Sequence, residues 1–313
     1  MGDIAFVFPG QGSQYVGMGK DLLETFSFAE DIFKEAQEVT GIPIKKLCLD
    51  GPIDELTKTI NLQPCLTAID ILCAKVLLSE GIEPSAVSGH SLGEYPALWA
   101  CGCLDLSNCM VLVKERGKVM EEAANANPGA MAAIIGLERE ELERLINDIL
   151  AQEDGILSLA NHNSKEQIVA TGEKHLIKKL CKKVKETGKR AIPLKVSGAY
   201  HSPLMKEAAK KFSKILEKVE FNPPKIPIYN NVTAKTEDDP LKIKHIMADQ
   251  ICSPVRWYEI VNNMYKDGIR TFIEVGPKKV LSNLIKKSID NADFKVLNFE
   301  ALDDLSKIKK EIN

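Results

Sequence analysis

Five residues, Gly89-His90-Ser91-Leu92-Gly93, set a serine between two glycines, after the apolar run "AVSG" and before the helical run "EYPALWA". In a strand-to-helix context this spacing is a nucleophile elbow, a turn so tight that neighbouring side chains would collide. The backbone N–H of Leu92, next after the serine, is then placed to meet the oxyanion of a tetrahedral adduct. A serine hydroxyl also needs a base, and the chain has five histidines: His90, His162, His175, His201 and His245. His90 adjoins the nucleophile, and an elbow should turn its ring away from the Ser91 hydroxyl, leaving it as pocket wall. His175 and His245 fall on polar helical faces and belong at the surface. His162, in "ANHNS" at a strand end, is a candidate to line the cleft. His201, in "SGAYHSPLM", has the best context. Ser202 and Pro203 read as N-cap and first helical residue, which puts the imidazole just before a helix N-terminus. There the helix dipole disfavours the cation and keeps the ring neutral, as a base requires.

Arg116 follows one helix later, in "LSNCMVLVKERGKVM". A hydrolase of simple esters has no general use for a guanidinium at its nucleophile. A substrate with a free carboxylate does, because the planar fork takes a carboxylate bidentately. Val111, Leu112 and Val113 form the apolar face of this helix, and Gly117 leaves space beside the guanidinium. Spacing alone nevertheless puts such an arginine on the surface, so only the fold can decide its role.

The elements that must hold these groups fall into two rhythms. Up to Ser91, β-rich runs alternate with amphipathic ones: "IAFVFPG", the helical "LLETFSFAEDIFKEAQEV", the helical "LTAIDILCAKVLLSEG", then "AVSGHS". That is the grammar of a parallel sheet with helices on both faces. From Pro128 to Val196 the order becomes strand "AMAAIIGL", helix "REELERLINDILAQ", strands "ILSLANHN" and "QIVATGE", helix "KHLIKKLCKKVKETG", strand "RAIPLKVS". This β-α-β-β-α-β order is the ferredoxin-like unit. Strands "IPIYNNV" and "TFIEVG" then return to the main lobe. The expected architecture is α/β, with an α/β-hydrolase-like parallel-sheet core in 1–127 and 197–313 and an inserted ferredoxin-like small subdomain in 128–196. The basic stretch "KKLCKKVKETGKR" reads as a solvated helix face, with a binding stripe for a carrier protein's acidic helix as the alternative, and the tail "SKIKKEIN" as a fraying terminal helix.

Composition narrows the function classes. The 313 residues carry 41 basic and 44 acidic side chains, a formal charge of −3, so neither nucleic acid nor an anionic membrane is an expected partner. The start "MGDIAFVFPG" lacks the pattern of a secretory signal, and no apolar run is expected to reach the roughly 20 residues of a membrane helix. Eight cysteines lie in apolar stretches without zinc-ligand spacing, which suits buried thiols in a reducing, cytoplasmic compartment.

Nine stretches, in order along almost the whole chain, resemble the malonyl-CoA:acyl carrier protein transacylases of fatty-acid synthesis or the freestanding acyltransferases of polyketide systems. They are "FPGQGSQYVGMG", "LQPCL", "GHSLGEY", "RGKVM", "GAMAAIIGL", "GAYHSPLM", "NNV", "SPVRW" and "EVGPKKVL". The resemblance implies that Ser91 is acylated and that His201 is its base, with the backbone carbonyl of Gln250 orienting the imidazole. It further implies an oxyanion hole from the backbone N–H groups of Gln11 and Leu92, and Arg116 on the malonyl carboxylate. His90, Gln63, Met120, Asn161 and Tyr200 would line the pocket. Tyr200, where methylmalonyl-selective relatives carry serine, would narrow the pocket against a branched acyl group. Malonyl-CoA and an acyl carrier protein are the implied partners, with no metal or other cofactor, and a monomer is expected. Pro96 departs from the family's usual small or polar residue and is expected to kink the turn after the elbow. An esterase or thioesterase is the alternative reaction class, but no acidic residue stands in a convincing place between Ser91 and His201 to complete its triad. A docking module without activity is a third reading, which an intact serine, histidine and arginine oppose.

Overall fold

The computed structural model describes residues 3–196, 198–291 and 293–312. The expected lobe limits at 1, 197 and 313 lie outside them. Strand β1 (Asp3–Phe8) enters a layer of short helices, α1 (Lys20–Thr25), α2 (Phe28–Thr40), α3 (Ile44–Leu49) and α4 (Ile53–Leu56), before the long α5 (Thr59–Ser79). Strand β2 (Ala86–Gly89) then ends at the elbow, a 3₁₀ turn over Ser91–Gly93 that passes into α6 (Glu94–Ala100), and α7 (Leu106–Ala126) follows. The inserted unit is β3 (Gly129–Ile135), α8 (Arg139–Leu150), β4 (Leu157–Ser164), β5 (Gln167–Glu173), α9 (Lys174–Glu186) and β6 (Arg190–Pro193). After it come a 3₁₀ turn at Pro203–Met205, α10 (Lys206–Leu216), β7 (Ile228–Tyr229), α11 (Pro240–Gln250) and α12 (Trp257–Lys266). The chain closes with β8 (Ile269–Val275), α13 (Val280–Lys286), β9 (Lys295–Phe299) and α14 (Leu302–Ile312).

Two sheets result. The first runs β7-β2-β1-β8-β9 with every neighbouring pair parallel. In β1, Phe6 and Phe8 enter one core, and Ala5 and Val7 enter the other with α12 and α13. A strand covered on both faces needs an unbroken apolar run, and "IAFVF" supplies it. The second sheet, β4-β5-β3-β6, is antiparallel throughout, the ferredoxin-like order. Alternation again sorts its faces: Ala132 and Ile134 of β3 pack with α8 and α9, while Met131 and Ala133 join the main core.

Several local expectations change. The run "LLETFSFAEDIFKEAQEV" is two helices, broken at Phe26 and Ser27. The run "IPIYNNV" contributes only two strand residues, Ile228 and Tyr229. The terminal stretch is helix through Ile312, with Ile308 buried in the main core and Lys309 paired with Glu80. Helix α5 has 21 residues and a mean hydropathy of 1.5 over its most apolar window, enough by length and composition to cross a membrane, contrary to the expectation that no run would be. Here 83% of that window is buried inside the fold, since α5 is a core helix between α7 and the sheet.

Pro96 is accommodated by a change of helix type. The chain makes a 3₁₀ turn at Ser91–Gly93, and the α-helix starts only at Glu94, so Pro96 falls in its first turn. An N–H at that position would have no partner within the helix, and its loss costs little.

Candidate active site

Three close approaches build the elbow. A Cβ on Gly89 would come within 1.9 Å of Gly93, and one on Gly93 within 2.1 Å of the Phe8 carbonyl oxygen. A Cβ on Gly10 would stand 2.5 Å from the His90 carbonyl oxygen. The glycines therefore let β2, the elbow and the turn after β1 touch backbone to backbone. That turn carries Gln11, which is exposed, while Leu92 is buried in the first turn after the serine. Ser91 itself has φ 53° and His201 φ 58°, both in the left-handed region that side chains with a Cβ seldom adopt. Such local strain persists only where surrounding bonds hold it.

Those bonds are specific. The Ser91 N–H donates to Asn231 Oδ1 at 2.6 Å, and Asn231 Nδ2 donates to the Gly89 carbonyl at 2.6 Å. Gln250 Nε2 donates to the Ser91 carbonyl at 2.9 Å. For His201, the backbone N–H donates to the Ile251 carbonyl, and Ser202 caps the following 3₁₀ turn by accepting from the Leu204 N–H.

Ser91 Oγ and His201 Nε2 are 2.8 Å apart. His201 Nδ1 faces the carbonyls of Gln250 at 2.9 Å and Ser253 at 3.1 Å. Carbonyls only accept, so Nδ1 carries the proton and Nε2 is left to accept from the serine hydroxyl. Burial, with the adjacent Arg116 charge acting in the same direction, lowers the His201 pKa to about 3. The ring is neutral as expected, with desolvation as the main cause and a neighbouring cation as the second.

Arg116 is not on the surface: it is 1% exposed. Its Nη1 donates to Gln63 Oε1 at 2.9 Å, and Nη2 donates to Gln250 Oε1 at 2.9 Å and to Ser91 Oγ at 3.1 Å. The guanidinium carbon lies 5.6 Å from the centre of the Tyr95 ring. Gly117 does not leave open space here. A Cβ on it would sit 3.0 Å from the Thr59 carbonyl, so it lets α7 lie against α5 and bring Gln63 to the guanidinium. Gln63 Nε2 in turn donates to the Met120 sulfur at 3.6 Å, and Tyr200 meets Thr59 of α5 through their hydroxyls at 3.3 Å.

The remaining residues fall as follows. His90 turns away from the serine, its Nε2 at 2.8 Å from Asn163 Oδ1 and its ring edge-on to Trp257. Asn161 is buried and bridges Val255 through its backbone, but the asparagine of β4 whose side chain meets His90 is Asn163, which the motifs did not single out. His162 packs on Tyr258 of α12. His175 and His245 are exposed. The sequence reading also passed over Glu94 and Asn231, although both stand inside the quoted motifs. A carboxylate three residues past the nucleophile on an otherwise apolar helix was the available signal.

A serine, a neutral imidazole and a buried guanidinium at one point are chemistry for acyl transfer with a carboxylate-bearing group. Comparison with known proteins agrees. Residues 5–305 match the acyl transferase domain family. The malonyl CoA-acyl carrier protein transacylase of Bacillus subtilis strain 168 is 42% identical over 288 residues, 92% of this chain and 90% of its own. The enzyme of that name from Escherichia coli K12 is 39% identical over 300 residues, 95% and 96% of the two chains. Among solved structures, an acyl carrier protein S-malonyltransferase from Vibrio cholerae superposes with a TM-score of 0.94 at 40% identity, covering 98% of this chain and 99% of the other. A malonyl-transacylase solved in complex with a type II PKS acyl-carrier protein does so with a TM-score of 0.94 at 38% identity, covering 99% of each chain. With its elbow, base and buried arginine on a fold shared along nearly the full length of these relatives, the chain belongs to the acyl transferase family, as a malonyl CoA-acyl carrier protein transacylase by kinship.

Proposed function

We infer that this enzyme transfers a malonyl group from malonyl-CoA to the phosphopantetheine thiol of an acyl carrier protein, in fatty-acid synthesis, through a malonyl ester on Ser91. The observation that carries the reading is the Arg116 guanidinium held 3.1 Å from Ser91 Oγ in a buried setting. His201 Nε2 takes the serine proton as Oγ attacks the thioester carbonyl. The backbone N–H groups of Gln11 and Leu92 receive the oxyanion. Collapse expels the CoA thiolate, which takes the proton back from His201. The carrier thiol then repeats the sequence: it gives its proton to His201, attacks the ester, and leaves as the malonyl thioester while Ser91 regains its proton. Gln250 orients the imidazole through its backbone carbonyl, and Arg116 grips the malonyl carboxylate. His90, Gln63, Met120, Asn161 and Tyr200 are assigned to the pocket wall.

A fixed carboxylate also holds the acyl ester in one orientation, which favours the carrier thiol over water. These steps call on no metal or redox group, and one chain carries every residue they use, so a monomer suffices. A cytoplasmic setting belongs to the same reading, and eight free cysteines, seven of them buried, support it. The test is incubation with malonyl-CoA and a purified carrier protein of fatty-acid synthesis. Malonyl-carrier should form with the native enzyme, and Ser91→Ala should neither form it nor gain a malonyl adduct by intact-mass spectrometry. A persistent adduct on the variant would remove Ser91 from the mechanism.

A further inference from the structure

Glu94 follows the nucleophile by three residues, is fully buried, and takes no part in the proton path above. Both its oxygens are engaged. Oε1 accepts from the Asn231 backbone N–H at 3.0 Å, and Oε2 accepts from Gln250 Nε2 at 2.6 Å. Asn231 is the residue that holds the elbow backbone, and Gln250 is the residue shared by Ser91, His201 and Arg116.

The two ends of a glutamine amide have nearly the same shape and opposite polarity, so packing alone does not choose between them. Glu94, the charged one of two acceptors facing Gln250 Nε2, does choose together with the Ser91 carbonyl. A carboxylate only accepts, so Gln250 Nε2 must face it, and Gln250 Oε1 is left to accept from Arg116 Nη2. A reversed amide would set Nε2 against Nη2, donor against donor. Burial raises the Glu94 pKa to about 7, and the hydrogen bonds from Gln250 and the Asn231 N–H and the Arg116 charge work against that rise. The site therefore favours the carboxylate, a negative charge near a guanidinium that no acidic side chain among the described residues contacts directly. Burial lowers the Arg116 pKa, and the Glu94 charge works against that lowering.

We propose that Glu94 is a positioning residue that sets the polarity of Gln250 and thereby aims Arg116 at the acyl carboxylate. Selectivity for a dicarboxylic acyl donor then depends on a side chain that contacts neither the serine hydroxyl nor the guanidinium. This rests on the malonyl reading of the site. Glu94→Gln keeps the shape but turns one oxygen into a donor. That donor must oppose either the Asn231 N–H or Gln250 Nε2, unless Gln250 reverses and disturbs Arg116.

The experiment measures kcat and KM for malonyl-CoA and acetyl-CoA on the native enzyme, Glu94→Gln, Arg116→Ala and the exchanged pair Glu94→Gln/Gln250→Glu, with melting curves for each. In Glu94→Gln the malonyl preference should fall at least about fivefold, the low end of what one unsatisfied buried group costs. The fall should come through KM for malonyl-CoA, with the acetyl KM held. In the exchanged pair residue 250 can only accept, so one oxygen again accepts from Arg116 while the Ser91 carbonyl loses its donor: kcat should fall for both donors alike, and part of the malonyl preference should return. An equal loss for both donors, or no loss, in a folded Glu94→Gln overturns the proposal. Should Glu94→Gln not fold, the exchanged pair decides: a folded protein without malonyl preference overturns it. If Arg116→Ala leaves the preference intact, the malonyl reading itself fails. If Arg116→Ala destroys the preference and Glu94→Gln does not, only the role of Glu94 fails.

Discussion

Arg116 Nη2 donates to Ser91 Oγ at 3.1 Å, which sets a permanent cation against the hydroxyl that also donates to His201. A cation there would favour a developing alkoxide, and it adds to the burial that keeps His201 neutral. For the acyl-serine proposed above, a carboxylate on the acyl group is the natural partner of a guanidinium 3.1 Å from Oγ.

Arg116→Ala separates this role from a merely structural one. Losing the pair leaves a malonate anion unpaired in a buried site, a cost of roughly 2–5 kcal/mol, so kcat/KM for malonyl-CoA should collapse. Acetyl-CoA has no carboxylate to lose, and its transfer should hold or rise. Steady-state kinetics on both donors, with a melting curve as control, check it. A common factor for both donors would show that Arg116 serves the fold alone.

His201 should remain neutral far below the ordinary range of histidine. With its pKa pushed down to about 3 by burial and by Arg116, ¹⁵N spectra of histidine-labelled protein at pH 5 should show Nδ1 protonated and Nε2 bare. The ring takes up its second proton only as the pH falls toward about 3. A titration of this ring near pH 6.5 would mean that water reaches it freely. In kinetics, His201→Ala should slow acylation by about 10²- to 10⁴-fold, the range for a lost general base.

Gly10→Ala tests the oxyanion hole proposed at Gln11 without touching a polar group. The new Cβ would stand 2.5 Å from the His90 carbonyl oxygen, so the turn bearing Gln11 must move off the elbow. Because the oxyanion forms with every acyl group, kcat should fall for malonyl and acetyl donors alike, by about 10-fold or more. Unequal losses would place Gln11 with the carboxylate and not with the carbonyl.

Gly117→Ala should loosen the contact of α7 with α5, where the added methyl meets the Thr59 carbonyl at 3.0 Å. Overpacking of this kind costs about 1–3 kcal/mol, measurable by urea unfolding. Gln63 would shift from Arg116 with the helix, so KM for malonyl-CoA should rise as well. A rise in stability would show that the helices part without strain.

Much of this molecule was determined along the chain. The serine between glycines, the Ser202-Pro203 cap after His201, and the change from parallel to ferredoxin-like rhythm at Pro128 are local signals, because tight turns, caps and strand alternation depend on residues a few positions apart. Whether Arg116 was buried or exposed could not be read that way. Its partners, Gln63 and Gln250, stand 53 and 134 residues away, and only the packing of α7 on α5 and the close of α11 bring three amide or hydroxyl oxygens to one guanidinium. The same holds for the neutrality of His201. The sequence offered only a helix dipole as a cause, and the burial and the Arg116 cation that lower its pKa depend on distant packing. Glu94 and Asn163 stayed hidden for a related reason. Their chemistry lies in which distant donor or acceptor each meets, and a carboxylate or an amide has no local spacing that reveals its partner.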